Sequence, residues 1–188
     1  TPGLARLADA VHAEGAAVSA QIGHAGAVAA GTGRRGLSPS PIFSPLAMRR
    51  TKAVTADQID RIVDDFAAAA GVVAAAGFDG VEIHLGHGYL PSEFLSPRLN
   101  RRTDQWGGSL ENRARFSRAI ATAVRAAVGD RLAVIAKLNM ADGVRGGLWL
   151  DESVAVARLL EADGALDALE LTAGSSLQNP MFSIKVVR

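Results

Sequence analysis

Cysteine is absent from all 188 residues. Within this stretch that excludes a disulfide framework, a thiolate zinc site, an iron–sulfur cluster and a cysteine nucleophile, though it says little about redox compartment. A surplus of one charge is lacking too. Lys+Arg 20 against Asp+Glu 19 leaves +1, so no net field draws the chain to nucleic acid or an anionic membrane in preference to a small-molecule partner. The longest apolar runs are alanine-rich and broken by Asp or Gly, too short and polar for a membrane span. Thr1-Pro2-Gly3 is neither an initiator methionine nor a charged leader ahead of an apolar stretch. No signal peptide is therefore expected, a cytoplasmic location is, and the chain reads as a piece of a longer one. What is present is 48% apolar residues, enough for one sizeable core or two small ones.

One pattern recurs: an alanine-rich amphipathic stretch, a glycine, then a short apolar run of strand type. The glycines are Gly15, Gly77, Gly129 and Gly164, and the runs are 17–22, 80–84, 132–138 and 167–172. A glycine just past a helix supplies the left-handed cap, so each junction reads as a helix-to-strand turn. Between the runs, Ile59, Ile62, Val63, Phe66, Ala70 and Val73 follow helical spacing over 56–76, with Thr55 and Gln58 as a capping box. A second helix is expected from Ser109 to about Val128, with Phe116, Ile120 and Val124 on one stripe. A third is expected from Asp151, as N-cap, to Gly164. Residues 3–14 read as the end of a further helix.

Alternation of strand and helix implies a mostly parallel sheet covered by helices, either an open doubly wound sheet or a (β/α)8 barrel. Gly31-x-Gly33-x-x-Gly36 lies in a long loop well after the first strand, so the dinucleotide fingerprint fails its context. Functional residue types instead cluster directly after strand C-termini, where barrels keep their active sites. The barrel is the expected fold.

Those residues can be taken strand by strand. The first strand ends in Gln21-Ile22-Gly23-His24-Ala25-Gly26. Gln21 is either a loop amide bonded to backbone or a donor and acceptor offered to a heterocycle. The second strand reads Val81-Glu82-Ile83-His84-Leu85-Gly86-His87-Gly88-Tyr89-Leu90. Alternation puts Glu82 and His84 on one face and Val81 and Ile83 on the other. A carboxylate buried inside a barrel needs a cation, and Lys137 at the end of the third strand is the interior candidate for Glu82. Two imidazoles, His84 and His87, can aim donors at one oxygen while the phenol of Tyr89 delivers a proton to a carbanion. The trio suits reactions at an activated carbon–carbon double bond. Three other readings stand beside it: histidines satisfied by loop carbonyls, a zinc hydrolase using His24, His84 and His87 as ligands, and Lys137 as a Schiff-base lysine or a cation beside an electron-accepting ring.

The stretch 77–90, with Phe94-Leu95-Ser96-Pro97, Asn100-Arg101-Arg102-Thr103-Asp104 and 106–113 (Trp-Gly-Gly-Ser-Leu-Glu-Asn-Arg), resembles the Old Yellow Enzyme family of FMN-dependent NAD(P)H oxidoreductases and ene-reductases. Residues 21–26 are similar to the family's Gln-x-x-His-x-Gly, and Ala136-Lys137-Leu138-Asn139 with Asp142 and Gly146-Gly147 to the branch carrying lysine where others have arginine. The resemblance runs to about Met181. It implies FMN as cofactor, NAD(P)H as reductant and a small-molecule acceptor such as an α,β-unsaturated carbonyl. It implies that Gln21 bonds the flavin pyrimidine edge and that Lys137 lies near N1 and O2. His84 and His87 would bind the acceptor's oxygen, and Tyr89 would be the proton donor.

Departures are visible. Ala27 stands where the family usually has arginine, leaving Arg34 or Arg35 to replace that contact, and the end after Pro180 drifts from the pattern. The four strands resemble strands three to six of eight, so residues 1–188 read as the central fragment of one FMN-binding TIM-barrel domain, against about 250 residues for a typical barrel. A fragment inactive by itself is the competing expectation. Unpaired edges at its first and fourth strands would favour pairing with another copy, as a homo-oligomer or aggregate.

Overall fold

The computed structural model describes residues 1–29 and 35–177. Four parallel strands form one sheet: β1 (Ser19–Ile22), β2 (Gly80–Leu85), β3 (Ala133–Asn139) and β4 (Ala168–Thr172). Their spatial order, β1-β2-β3-β4, is their chain order. A doubly wound sheet reverses its order at a switch point, whereas a barrel adds each strand beside the last. The sheet is therefore the arc of a (β/α) barrel, and the partial barrel expected from the sequence is the fold found.

Among the described residues five α-helices accompany it: α1 (Pro2–Ala13), α2 (Ala56–Ala75), α3 (Leu90–Leu95), α4 (Leu110–Val128) and α5 (Leu150–Ala162). Among the described residues no helix is long and apolar enough to cross a membrane. The capping box of α2 is made in both directions: Gln58 N donates to Thr55 Oγ1 at 3.3 Å and Thr55 N to Gln58 Oε1 at 3.0 Å. Ile59, Ile62, Phe66, Ala70 and Val73 form the buried stripe that follows. Ser109 caps α4 by accepting from Asn112 N at 3.3 Å. After α2 and α5, Gly77 and Gly164 take φ of +83° and +66°, the left-handed turn into the next strand.

One expected cap is displaced. Asp151 does not start α5; Trp149 is its N-cap and Asp151 sits in the first turn. There its carboxylate still opposes the positive end of the helix dipole. Ser153 N donates to Trp149 O at 2.9 Å, the bond that marks the earlier start. The sequence reading also leaves out α3 and two short ladders in the long β1–α2 connection. These pair Leu37–Ser38 with Lys52–Ala53 and Phe43–Ser44 with Arg49–Arg50. Most of the Gly31–Gly36 motif lies outside the described residues.

Helices cover one face of the sheet. Val81, Ile83, Leu85, Val134, Ala136 and Leu138 are fully buried beneath them, joined to Phe66, Phe116 and Ile120 in the core. Alternation then commits Glu82, His84, Lys137 and Glu170 to the opposite, barrel-interior face. At the strand N-termini the joins repeat one device. Asp79 accepts from Val18 N and Asp167 from Val134 N, both at 2.7 Å, tying each strand to its neighbour far from the site.

Candidate functional site

Register assembles an interior row of polar groups. Gln21 pairs with Glu82 across β1 and β2, and His84 with Lys137 across β2 and β3. Lys137 in turn pairs with Glu170 across β3 and β4. The side chains bond along the row: Gln21 Nε2 donates to Glu82 Oε2 at 2.5 Å, and Lys137 Nζ lies 3.2 Å from the same oxygen. Lys137 is also 2.9 Å from Glu170 Oε1. The expected partnership of Glu82 with Lys137 is present, and Glu170 is a second anion that sequence reasoning misses. Burial works to lower the Lys137 ammonium, but the hydrogen bonds it donates to Glu170 and Glu82 outweigh it and hold its pKa above the ordinary value.

Just beyond this row, at the end of β2, the structure brings His84, His87 and Tyr89 together. The rings of His84 and His87 are 5.2 Å apart, and Tyr89 stands edge-on to His84 at 4.7 Å. His84 is 5% exposed. Burial, then repulsion from His87 once that ring is protonated and from Lys137, push its pKa down to about 4, and burial followed by Lys137 lowers His87 as well. Both imidazoles are therefore neutral at pH 7. Nδ1 of His84 is enclosed with no partner among the described residues. An orphaned lone pair is cheaper to bury than an orphaned N–H, which favours the tautomer carrying its proton on Nε2 as a donor.

His87 is held more tightly. Its backbone takes φ of +60°, rare for a side-chain-bearing residue, and its Nε2 lies 2.7 Å from Thr172 Oγ1. Its N–H donates to Asn139 Oδ1 at 3.3 Å. Asn139 Nδ2 in turn donates to Asp142 Oδ1 and to Gly174 O, each at 3.0 Å. Asp142 also accepts from Ser96 Oγ at 2.6 Å and Leu148 N at 2.8 Å. Thr172, Asn139 and Asp142 thus fix the histidine without being in the cluster.

Tyr89 is placed by its role as N-cap of α3. The loop after β1 is fastened to that helix: Leu90 N donates to His24 O at 3.0 Å, and Ala27 N to Glu93 Oε1 at 2.7 Å. Gly26, at φ +60°, has no room for a side chain, since a Cβ would lie 2.4 Å from Glu93 Oε1. Burial raises the Glu93 carboxyl well above the usual range, with only the Ala27 N–H acting against it, and Oε2 has no partner among the described residues. Of the two proposed stand-ins for an arginine at position 27, Arg35 is exposed and Arg34 lies outside the described residues.

The zinc reading fails. His24 turns toward α2, where it lines a cavity of about 310 Å³ with Ile62, Asp65 and Phe66, and its Nδ1 accepts from Gly26 N at 3.1 Å. His24 therefore does not join the pair His84 and His87. Among the described residues no group of three or more His, Asp and Glu is arranged to hold a metal.

The residues present do fit a flavin. A carboxamide and an ammonium stand on the interior face of β1 and β3, both bound to Glu82 Oε2 between them, and their donors and acceptors complement those of a flavin's pyrimidine edge. An unpartnered imidazole and a phenol stand beside them on the same barrel mouth. A parallel barrel arc with a polar row inside and two histidines at the strand ends defines a class: a partial TIM barrel with its polar groups gathered at the C-terminal ends of the strands. The profile of the NADH:flavin oxidoreductase / NADH oxidase family matches residues 1–174, and the chain belongs to that family. It is 54% identical over 183 residues to the 4,4'-dithiodibutanoate disulfide reductase of Rhodococcus erythropolis, covering 96% of this chain and 45% of that protein. It is 35% identical to the NADPH dehydrogenase of Halalkalibacterium halodurans, covering 95% of this chain and 52% of that one. Among solved structures, 2-naphthoyl-CoA reductase superposes with a TM-score of 0.86 at 35% identity, over 93% of this chain and 29% of that one. Morphinone reductase in complex with tetrahydroNAD superposes with a TM-score of 0.77 at 31% identity, over 90% and 52%. The chain spans about half, or less, of the length of these relatives.

Proposed function

We propose that the full-length protein is an FMN-dependent NAD(P)H oxidoreductase that reduces an activated alkene, such as an α,β-unsaturated carbonyl. The observation that carries this reading is the contact of His84 with both His87 and Tyr89, beside the Gln21–Glu82–Lys137 row. When bound, FMN supplies the hydride that the β carbon of the acceptor takes. Gln21 and Lys137 hold the pyrimidine edge, Lys137 balancing negative charge there. His84, through Nε2–H, and His87, through the nitrogen that Thr172 leaves free, donate to the acceptor's oxygen. Negative charge that develops on that oxygen meets two preorganised donors. Tyr89 gives its proton to the α carbon. Support comes from the family match and from relatives named as NADPH dehydrogenase and alkene reductase.

The test uses full-length protein loaded with FMN, reduced anaerobically with NADPH or NADH and mixed with cyclohexenone. Reoxidation of the flavin by the enone is expected, and its absence would overturn the reading. Replacing His84 and His87 together by alanine is expected to weaken binding of a phenol by about 100-fold, at roughly 1.5 kcal/mol per hydrogen bond, with FMN affinity held within a few-fold. Equal loss of both would separate the histidines from the acceptor site.

A further inference from the structure

A second cleft opens beside the histidine cluster, with a volume of about 380 Å³. Arg50, Arg98 and Arg101 line it, with Phe43 and Leu177 among its apolar walls. Leu177 is also the partition from the site: it packs on Gly88, where a Cβ would stand 3.4 Å from Leu177 Cγ, and Ser176 N donates to His87 O at 2.9 Å.

The three cations have no carboxylate partner among the described residues. Arg50 Nη2 and Arg101 Nη2 donate to the same oxygen, Pro41 O, at 3.2 and 3.4 Å. Arg98 Nη1 donates to Arg145 O at 2.9 Å. Neighbouring Arg102, by contrast, is neutralised by Asp104 at 2.5 Å. Two guanidinium groups converging on one carbonyl repel each other, and in a chain of net charge +1 such a concentration is not a by-product of bulk composition.

The scaffold beneath them is rigid. Asn100, 4% exposed, donates to Phe94 O at 2.8 Å and Trp106 O at 2.7 Å, and Arg101 N donates to Ser40 Oγ at 3.0 Å. Arg50 stands in the ladder opposite Phe43, a residue 54% exposed at the rim. Forked donors fixed around a concavity with a flat apolar face suit a phosphate group attached to an aromatic ring system.

We propose that this cleft binds the phosphorylated nucleotide portion of a reactant whose reacting end lies at His84 and His87. The inference rests on the proposed reaction for what the reactant is, but its first test does not depend on that reaction. Calorimetric titration of the full-length protein with ADP is expected to give binding that adenosine does not. Exchanging Arg50 and Arg101 together for glutamine should weaken ADP about tenfold or more, with the melting temperature held, since charged hydrogen bonds contribute about 1.5–3 kcal/mol each. Arg98→Gln alone, on a separate loop, should weaken it in the same direction. No ADP binding to the wild type, or equal affinity in wild type and double variant, overturns the site.

Two further arms identify the source of the phosphate in the FMN-loaded protein. A Kd for NADPH or NADH raised in the double variant assigns the cleft to the reductant. A KM raised for the coenzyme A thioester of an unsaturated acid, but not for its methyl ester, assigns it to the acceptor. Both unchanged means the cleft serves neither reactant and the proposal falls, while failure to bind FMN or oxidise NAD(P)H with ADP binding intact strikes only the reaction.

Discussion

His87 Nε2 lies 2.7 Å from Thr172 Oγ1, a bond that joins the end of β2 to the end of β4 across β3. Thr172 occupies one imidazole nitrogen and so decides which nitrogen His87 can present to a reactant. Replacing Thr172 by valine keeps the shape and removes the hydroxyl. Phenol binding in the FMN-loaded protein is expected to weaken about 5–10-fold, the worth of roughly 1 kcal/mol, with FMN affinity unchanged. Unaltered phenol binding would show that His87 is oriented by its backbone and Asn139 alone.

The Lys137–Glu170 pair sets the charge at the inner row. With Glu82 on one side and Glu170 on the other, the ammonium is doubly compensated. Glu170→Gln leaves one carboxylate, so the region becomes more positive by one charge. In the FMN-loaded protein the flavin midpoint potential is expected to rise by on the order of 20 mV. The half-exposed position of Glu170 keeps the figure small. A potential that stays put, or falls, would place Lys137 away from the flavin.

These two contacts mark where sequence reasoning stops. The face carrying Glu82 and His84 is legible because Val81, Ile83 and Leu85 alternate with them, and period-two patterning assigns faces without tertiary knowledge. The Glu82–Lys137 partnership is legible because a buried carboxylate must find a cation. Thr172 and Asn139 stand 85 and 52 residues from His87, and only strand register brings them to it. Glu170 reaches Lys137 for the same reason. Helix α3 is hidden because all six of its residues are buried, leaving no amphipathic period to read.

Glu93 gives a test inside the core. Burial raises its carboxyl well above the usual range, while Oε1 accepts from Ala27 N. Because its folded pKa lies above the unfolded value, the stability it costs grows as pH rises above about 4.3, the ordinary glutamate value, and continues toward the folded pKa. Glutamine copies the neutral acid without that cost. Glu93→Gln is expected to match or exceed wild-type stability at pH 8, whereas Glu93→Ala loses the bond and leaves a cavity, at roughly 2–4 kcal/mol. Urea midpoints at pH 6 and pH 8 check both, and a glutamine variant as unstable as the alanine one would require an ionised Glu93.

His84 sets the acid limit of the site. Its pKa near 4 in the folded state lies below the unfolded value of about 6.5, so the unfolded chain takes up the proton first. Stability is therefore full above about pH 6.5, falls between 6.5 and 4, and is flat below. The loss attributable to His84 is about 1–3 kcal/mol, reduced from the full shift by solvent screening. Burial and the charges of His87 and Lys137 produce the shift, with Glu170 opposing it. His84→Asn removes the titration while keeping a polar side chain. The wild-type minus variant difference in unfolding free energy should decline from pH 7 to pH 4.5 in the full-length protein. A difference independent of pH would mean that His84 is solvated, and neutral imidazole donation at this site would then lose its physical basis.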